Sequence, residues 1–217
     1  LPPASLVSFW RSPDLTARDQ FACSGVFVAE RTILTVAHAF KPDRALWARP
    51  AVDGSQAYPV IGAPLRHPSL DAALVAIEFM PNLGVIAPLD ISGRIGGGAE
   101  VFSLNGFFGG RRETGFQVQW LSFETADRLH LLDVKQPPGH SGSGLEREGR
   151  LWGMTVSHYT DPNTHRGCAV SIGQLWQGWL DQHIRLRDHL APSMPRHDVD
   201  GRAKAIRVAV ADNQLEF

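Results

Sequence analysis

Short apolar segments separated by glycine and proline constrain the fold of this chain more than any other feature. The 217 residues include 21 glycines and 15 prolines, which are spread between apolar runs along the whole chain. The runs at 21–29 and 72–79 have the length of single strands, and 117–121 alternates polar and apolar residues as a half-buried strand does. The pattern predicts an all-β protein with a sandwich or barrel architecture.

The predicted strands fall into two groups. They are 5–10, 21–29, 32–36, 45–48, 57–61, 72–79, 100–104, 116–123, 129–134, 151–157 and 168–172. Residues 81–98 have no periodic pattern and are interpreted as the linker between two halves, 1–90 and 91–171. One helix is predicted over 172–190, where apolar residues recur every three or four positions. The tail, 191–217, is predicted to be a linker or an edge strand.

Charge and hydropathy exclude two classes of partner. The formal net charge is −1 and no basic run stands out, so nucleic acid and anionic membrane surfaces are not expected partners. No apolar segment reaches the roughly 18 to 20 residues of a membrane span. We therefore expect neither nucleic acid nor a membrane as a partner.

The two cysteines bear on compartment. Cys23 and Cys168 are expected to be separate buried thiols, and a single bridge between them is the alternative. So few cysteines favour a cytoplasmic or bacterial periplasmic location. The first residue is Leu1 and not methionine, so we interpret the chain as a processed or excised piece whose targeting segment has been cut away. A regulatory domain outside this piece is then a hypothesis.

A serine between glycines, in the stretch 137–144, is the first candidate for chemistry. Flanking glycines allow a sharp turn that exposes the hydroxyl and lets backbone N–H groups converge on a developing oxyanion. Most glycine–serine clusters are plain loops, so the cluster needs support from elsewhere in the chain. Two catalytic interpretations compete: the nucleophile elbow of an α/β-hydrolase, and a protease loop whose histidine and aspartate precede the serine.

The order of residues along the chain separates these interpretations. His38 ends one apolar run and Asp71 precedes another, which gives the order His38, Asp71, Ser141. An α/β-hydrolase would need its acid and its histidine after the serine, where only Asp161 and His183 are weak candidates. It would also need alternating strands and helices, which this sequence does not show. The protease order is favoured.

Three motifs in this order resemble those of trypsin-like serine proteases of the chymotrypsin fold. Residues 34–38 (Leu-Thr-Val-Ala-His) are similar to Leu-Thr-Ala-Ala-His, and residues 70–74 (Leu-Asp-Ala-Ala-Leu) resemble Asp-Ile-Ala-Leu. Residues 139–144 (Gly-His-Ser-Gly-Ser-Gly) resemble Gly-Asp-Ser-Gly-Gly-Pro, and 23–28 resembles the strand leading into the histidine motif. The resemblance extends from residue 5 to about residue 185.

The resemblance implies a fold and an activity. The fold would be two antiparallel six-stranded β-barrels with a C-terminal α-helix, the first barrel carrying His38 and Asp71 and the second carrying Ser141. The activity would be that of a serine endopeptidase acting on polypeptide substrates, with no cofactor and no metal. His38 would be the general base, Asp71 its orienting partner and Ser141 the nucleophile. The backbone N–H groups of Gly139 and Ser141 would form the oxyanion hole.

Departures from the family pattern refine the resemblance. His140 replaces the aspartate before the serine that pairs with a new N-terminal amine in zymogen-activated members, so that switch is not expected here. His140 is interpreted as a positional filler, with an additional acid/base role as the alternative. Ala39 stands where many animal members have cysteine, while Ser143 and Gly144 replace glycine and proline. The closest resemblance is to disulfide-poor bacterial members such as HtrA proteases and glutamyl endopeptidases.

Substrate specificity is less legible. Lys135 aligns near the floor of the S1 pocket, with Ser157 and His158 on its wall. A cation there would favour an acidic P1 side chain through a charge-assisted hydrogen bond. If Lys135 instead extends to solvent, small apolar side chains would fit. The alternative function is a catalytically silent pseudoprotease that binds peptides without cutting them.

Overall fold

The computed structural model shows two closed antiparallel β-barrels of six strands each. It describes residues 1–14, 18–79, 81, 85–96, 100–125, 128–134, 140–161 and 164–184, with the backbone alone at 18, 157–161 and 164–166. Counted along the chain, the strands pair in the order 1-2-3-6-5-4 in the first barrel and 10-11-12-9-8-7 in the second. The all-β, double-barrel prediction is therefore confirmed.

The first barrel is built from the N-terminal half. Its strands are β1 (Leu6–Trp10), β2 (Phe21–Ala29), β3 (Thr32–Thr35), β4 (Trp47–Pro50), β5 (Tyr58–Arg66) and β6 (Ala73–Ile77). Its interior includes Phe9, Phe27 and Ile33, none of which is exposed. Phe9 also packs edge-to-face on Phe40 at 5.2 Å between ring centroids, so an aromatic contact closes the core just beyond His38.

The second barrel follows the same plan. Its strands are β7 (Val101–Phe108), β8 (Arg111–Glu124), β9 (Leu129–Leu132), β10 (Gly144–Arg147), β11 (Arg150–Asp161) and β12 (Thr164–Ser171). In its core Phe102 stacks on the fully buried Trp152 with ring centroids 4.2 Å apart. The sequence prediction missed β10, because its apolar content is a single leucine, Leu145.

The predicted C-terminal helix is confirmed, but it is short and interrupted and does not run continuously from residue 172. The helix α1 (Ile172–Leu175) begins at a capping box between Ser171 and Gln174, but the next turn, Trp176–Leu180, is not α-helical. Gly178 lies there in the left-handed region at φ 75°, and α2 (Asp181–His183) follows as a single turn. Apolar spacing identified the buried face correctly, since Trp179 and Leu180 are buried, but it does not detect a glycine break. Residues 185–190 of that prediction lie outside the described residues.

The predicted linker packs between the barrels. Ala87 N–H donates to the Phe27 carbonyl at 2.9 Å, and Leu89 forms a parallel bridge with Leu151. Arg147 ties the linker region to β10 through Asp90 at 2.6 Å and Glu100 at 2.8 Å. Residues 85–89 are thus a buried crossing that packs the second barrel against the first.

Two smaller sequence expectations can be checked in the fold. Cys23 and Cys168 are buried thiols with no disulfide between them, as expected, and burial raises the pKa of Cys23 to about 12. Within the part of the chain that the structure describes, no helix is long and apolar enough to cross a membrane.

Candidate active site

Strand pairing in the first barrel brings His38 and Asp71 to one edge. The strands β3 and β6 are antiparallel neighbours, with Thr35 opposite Ala73. His38 follows the end of β3 and Asp71 precedes the start of β6, so both residues leave the sheet at the same end. His38 and Asp71, 33 residues apart in the sequence, are therefore in direct contact.

The His38–Asp71 contact consists of two hydrogen bonds. The His38 ring Nδ1 lies 2.6 Å from Asp71 Oδ2, and the His38 backbone N–H donates to Oδ1 at 2.9 Å. One carboxylate therefore holds both the ring and the backbone of the histidine. With Nδ1 engaged in this way, a neutral imidazole leaves Nε2 as a proton acceptor.

Asp71 is ionised in this arrangement. Partial burial opposes the charged form, but hydrogen bonds from the His38 ring and from the N–H groups of His38 and Ala37 outweigh it and hold the pKa below its ordinary value. The carboxylate is 31% exposed and the imidazole 51% exposed, so one side of the pair faces solvent and is open to a ligand.

Ser141 enters from the second barrel on a loop that docks against the first. The Ser24 N–H donates to the Ser141 carbonyl at 2.8 Å. Within the second barrel, Gly142 N–H donates to the Thr155 carbonyl at 2.8 Å, and the Thr155 hydroxyl donates to the His140 carbonyl at 2.7 Å. The loop is therefore held from both barrels.

Gly142 is required by this docking. It has φ 83°, and a Cβ added there would lie 1.9 Å from the Ser24 carbonyl oxygen and 3.2 Å from Thr35 Oγ1. No side chain fits that space, because the nearest obstacle is backbone. The glycine after the candidate nucleophile thus allows the two barrels to meet at this point.

Polar contacts connect the end of β3, which leads to His38, with Ser24 and with the second barrel. Thr35, at the end of β3, donates to the Ser24 carbonyl at 2.7 Å. The Ser24 hydroxyl accepts from Phe107 N–H at 2.8 Å and donates to the Phe107 carbonyl at 3.2 Å. Ser24 and Thr35 lie within segments that resemble the family, but sequence reasoning assigned no role to them or to Phe107, because their contacts span both barrels.

The three sequence-predicted triad residues are only partly brought into contact. Among the described residues, no hydrogen bond joins Ser141 Oγ to His38, and the Ser141 N–H also has no acceptor. Gly139 and Lys135 lie outside the described residues. Ser157 and His158 belong to β11 by their backbone, and their side chains are outside the described part.

His140, beside the candidate nucleophile, is a packing residue in this structure. Its ring lies 3.8 Å, centroid to centroid, from that of Phe108 on β7. Its Nδ1 is buried without a hydrogen-bond partner, and burial lowers the pKa of His140 to about 4. These contacts favour the interpretation of His140 as a filler.

Among the described side chains, none form a cluster of three or more metal-ligating groups.

One buried and one half-buried histidine predict a fall in stability at mildly acidic pH. Burial lowers the pKa of both His130 and His140 to about 4, against about 6.5 for an unfolded histidine. Their stabilising effect is fully present above about pH 6.5 and is lost as the pH falls toward 4, because the unfolded chain takes up the protons first. We expect the free energy of unfolding to fall by about 1–2 kcal/mol between pH 7.5 and 5, allowing for the partial exposure of His140. Urea unfolding at the two pH values measures it.

The control for this prediction is His140→Phe, which keeps an aromatic ring against Phe108 and cannot titrate. This variant should lose less stability than the wild type over the same pH interval. Equal stability of the wild type at both pH values would contradict the prediction.

Comparison with known proteins identifies the fold. No protein-family model and no curated protein sequence matches the chain. Among solved structures, the inactive form of the Rv3671c protease of M. tuberculosis is 16% identical with a TM-score of 0.62, covering 83% of this chain and 89% of that one. Kallikrein-related peptidase 10 is 20% identical with a TM-score of 0.61, covering 84% and 95%.

The VesB protease of Vibrio cholerae is 17% identical with a TM-score of 0.64, covering 83% of this chain and 64% of its own. At this level of identity the likeness concerns architecture. Together with the two six-stranded barrels, it shows that the chain has the trypsin-like, chymotrypsin-type fold. The resemblance inferred from the three sequence motifs is confirmed at the level of the fold.

Proposed function

We propose that this chain is a serine endopeptidase in which His38, Asp71 and Ser141 act as a catalytic triad. The observation that carries the proposal is the doubly hydrogen-bonded His38–Asp71 pair, partly open to solvent, on the barrel edge where the Ser141 loop docks. An imidazole fixed by a carboxylate, with a serine on a constrained glycine turn that docks on the same barrel, supports acyl transfer.

Each residue has a defined role in the proposed reaction. His38 Nε2 takes the proton from Ser141 Oγ as the oxygen attacks the scissile carbonyl carbon, and later donates it to the leaving amine. Asp71 keeps Nδ1 protonated and stabilises the imidazolium that forms. Water then attacks the acyl-enzyme with His38 again as the base, which releases the new carboxylate and restores the Ser141 hydroxyl.

The Ser141 backbone N–H supports the proposed oxyanion hole. It makes no hydrogen bond to any residue that the structure describes, so it is available to a developing oxyanion. The second proposed donor is the Gly139 N–H. Each such donor contributes on the order of 3 kcal/mol to the transition state.

The proposed substrate is an extended polypeptide lying across the junction between the barrels, where strand-like main-chain hydrogen bonds hold a peptide. An acidic P1 preference is proposed from Lys135, with Ser157 and His158 as the pocket wall. Profiling with a peptide library that varies P1 distinguishes this preference from one for small apolar residues.

One observation favours a second candidate, a peptide-binding pseudoprotease. The structure has no hydrogen bond between Ser141 Oγ and His38 among its described residues, whereas a poised triad has one. Such bonds are often long before substrate binds, so the observation alone does not displace the protease proposal.

A fluorophosphonate probe separates the two candidates, because it labels only an activated serine. The wild type should be labelled, Ser141→Ala should not, and Ser143→Ala should keep its label. Ser143 is a matched control because it lies two residues away and is fully buried. A folded wild type without label would favour the pseudoprotease, and label retained on Ser141→Ala would remove Ser141 from its proposed role.

A further inference from the structure

A cavity lies between the barrels, apart from the candidate triad. Its volume is about 780 Å³, and none of His38, Asp71 and Ser141 lines it. One wall comes from β1 and β4 of the first barrel, and the other from the turn that joins β7 to β8. The side chains that give it chemical character are Trp10, Arg49, Phe107, Arg111 and Arg112.

The residues that line the cavity include several positive charges. Three of them are arginines, and no aspartate or glutamate is among the described residues that line it. Arg111 and Arg112 are exposed at the start of β8. A lining rich in arginine attracts an anion, and planar guanidinium donor forks match carboxylates in particular.

Arg49 supports this interpretation from inside the fold. It is only 6% exposed, it stacks on the Trp10 ring at 4.1 Å, and its terminal nitrogen donates to the carbonyls of Ser12 and Asp14. Its Nε is buried without a hydrogen-bond partner. Burial lowers the pKa of Arg49 from its ordinary value despite the nearby Asp14 charge, so further negative charge would be stabilising here.

The size of the cavity favours a peptide over a single ion. A cavity of about 780 Å³ is far larger than one inorganic anion needs and lies in the range of sites for organic ligands. Trp10 and Phe107 also line it but are only 5% and 8% exposed, so the arginines are its main contact groups.

We propose that this cavity binds an acidic peptide segment, whose carboxylates pair with the arginines that line it, Arg49, Arg111 and Arg112. The site goes beyond the proposed proteolysis and does not require it.

The site is close to the nucleophile loop without being part of it. Phe107, a wall of the cavity, bonds through its backbone to the Ser24 hydroxyl, and the Ser24 N–H bonds to the Ser141 carbonyl. Two hydrogen-bonded steps therefore separate the proposed ligand from the candidate nucleophile.

Calorimetric titration tests the proposal. The probe is a capped hexapeptide with four glutamates, one glycine and one phenylalanine, and the comparison peptide has glutamine in place of glutamate. The protein is Ser141→Ala, so that the peptide cannot be cut and the result does not depend on catalysis. We expect the acidic peptide to bind, the neutral one to bind at least about ten-fold more weakly, and the affinity to fall with added salt.

Charge reversal locates the binding. The double variant Arg111→Glu/Arg112→Glu, in the same background, should bind the acidic peptide about ten-fold more weakly or worse. The matched control, Arg94→Glu/Arg150→Glu, changes the net charge equally at exposed arginines outside the cavity and should bind as before. Equal weakening in both variants, or no binding at all, would overturn the proposal. Inorganic phosphate that binds where the peptide does not would assign the site to a free ion instead.

Discussion

Replacing Asp71 by asparagine should lower kcat by about 10⁴-fold while leaving the fold intact. The carboxylate accepts hydrogen bonds from both the ring Nδ1 and the backbone N–H of His38. An amide has one acceptor oxygen, so its NH₂ would face Nδ1 and drive the ring proton to Nε2. An imidazole protonated at Nε2 cannot take the proton from Ser141. Steady-state kinetics on a peptide substrate, beside a thermal melt, measures the effect.

The matched control is Asp53→Asn, also in the first barrel. Asp53 accepts two side-chain hydrogen bonds, from Ser55 and Tyr58, both at 2.7 Å, but it lies in the turn before β5. Its replacement should leave kcat within about two-fold. If Asp71→Asn lowers kcat by less than about ten-fold, the His38–Asp71 pair is structural and another group orients the base.

Gly142→Ala should produce the second large effect, on both activity and stability. The added Cβ would lie 1.9 Å from the Ser24 carbonyl oxygen, so either the Ser141 loop or β2 has to move. A displacement of about 1 Å at a reacting group costs about 10²-fold in rate. The strain at φ 83° adds about 1–2 kcal/mol of lost stability. Kinetics and urea unfolding together separate the two contributions.

Gly149→Ala measures the stability cost of the left-handed backbone alone. Gly149 has nearly the same φ, 76°, in the turn between β10 and β11, but an added Cβ there meets nothing within 4 Å. It should lose about 1–2 kcal/mol of stability and no activity. If both variants keep full activity, the contact between Gly142 and Ser24 does not position the nucleophile.

Local pattern predicted the strands because barrel strands have a local signal. Apolar runs bounded by glycine and proline located eleven of the twelve strands that the structure describes, some with ends displaced by several residues. The missed strand, β10, is held by its pairing with β7 and β11, and such pairing is not visible in four residues with one buried leucine. The helix prediction failed at Gly178, where a left-handed residue interrupts an otherwise regular apolar spacing.

The candidate triad was recognised from motif and order, and two of its members are now seen in contact. His38 and Asp71 were predictable because the first follows an apolar strand and the second precedes one. Those two strands pair in the structure. The Ser141 loop was predictable as a glycine turn. Its attachment to the first barrel was not, since the partner, Ser24, is a plain small residue in the middle of β2.

The sequence by itself thus determined the strand content, through local periodicity. The double-barrel plan and the three candidate residues followed from the resemblance of its short motifs to those of trypsin-like serine proteases. Only the tertiary structure decided how the halves meet. The bonds of Ser24 to Phe107, 83 residues away, and the gathering of Arg49 with Arg111 and Arg112 depend on barrel closure and strand register. Those geometries arise from packing between distant segments, and no short stretch of sequence encodes them.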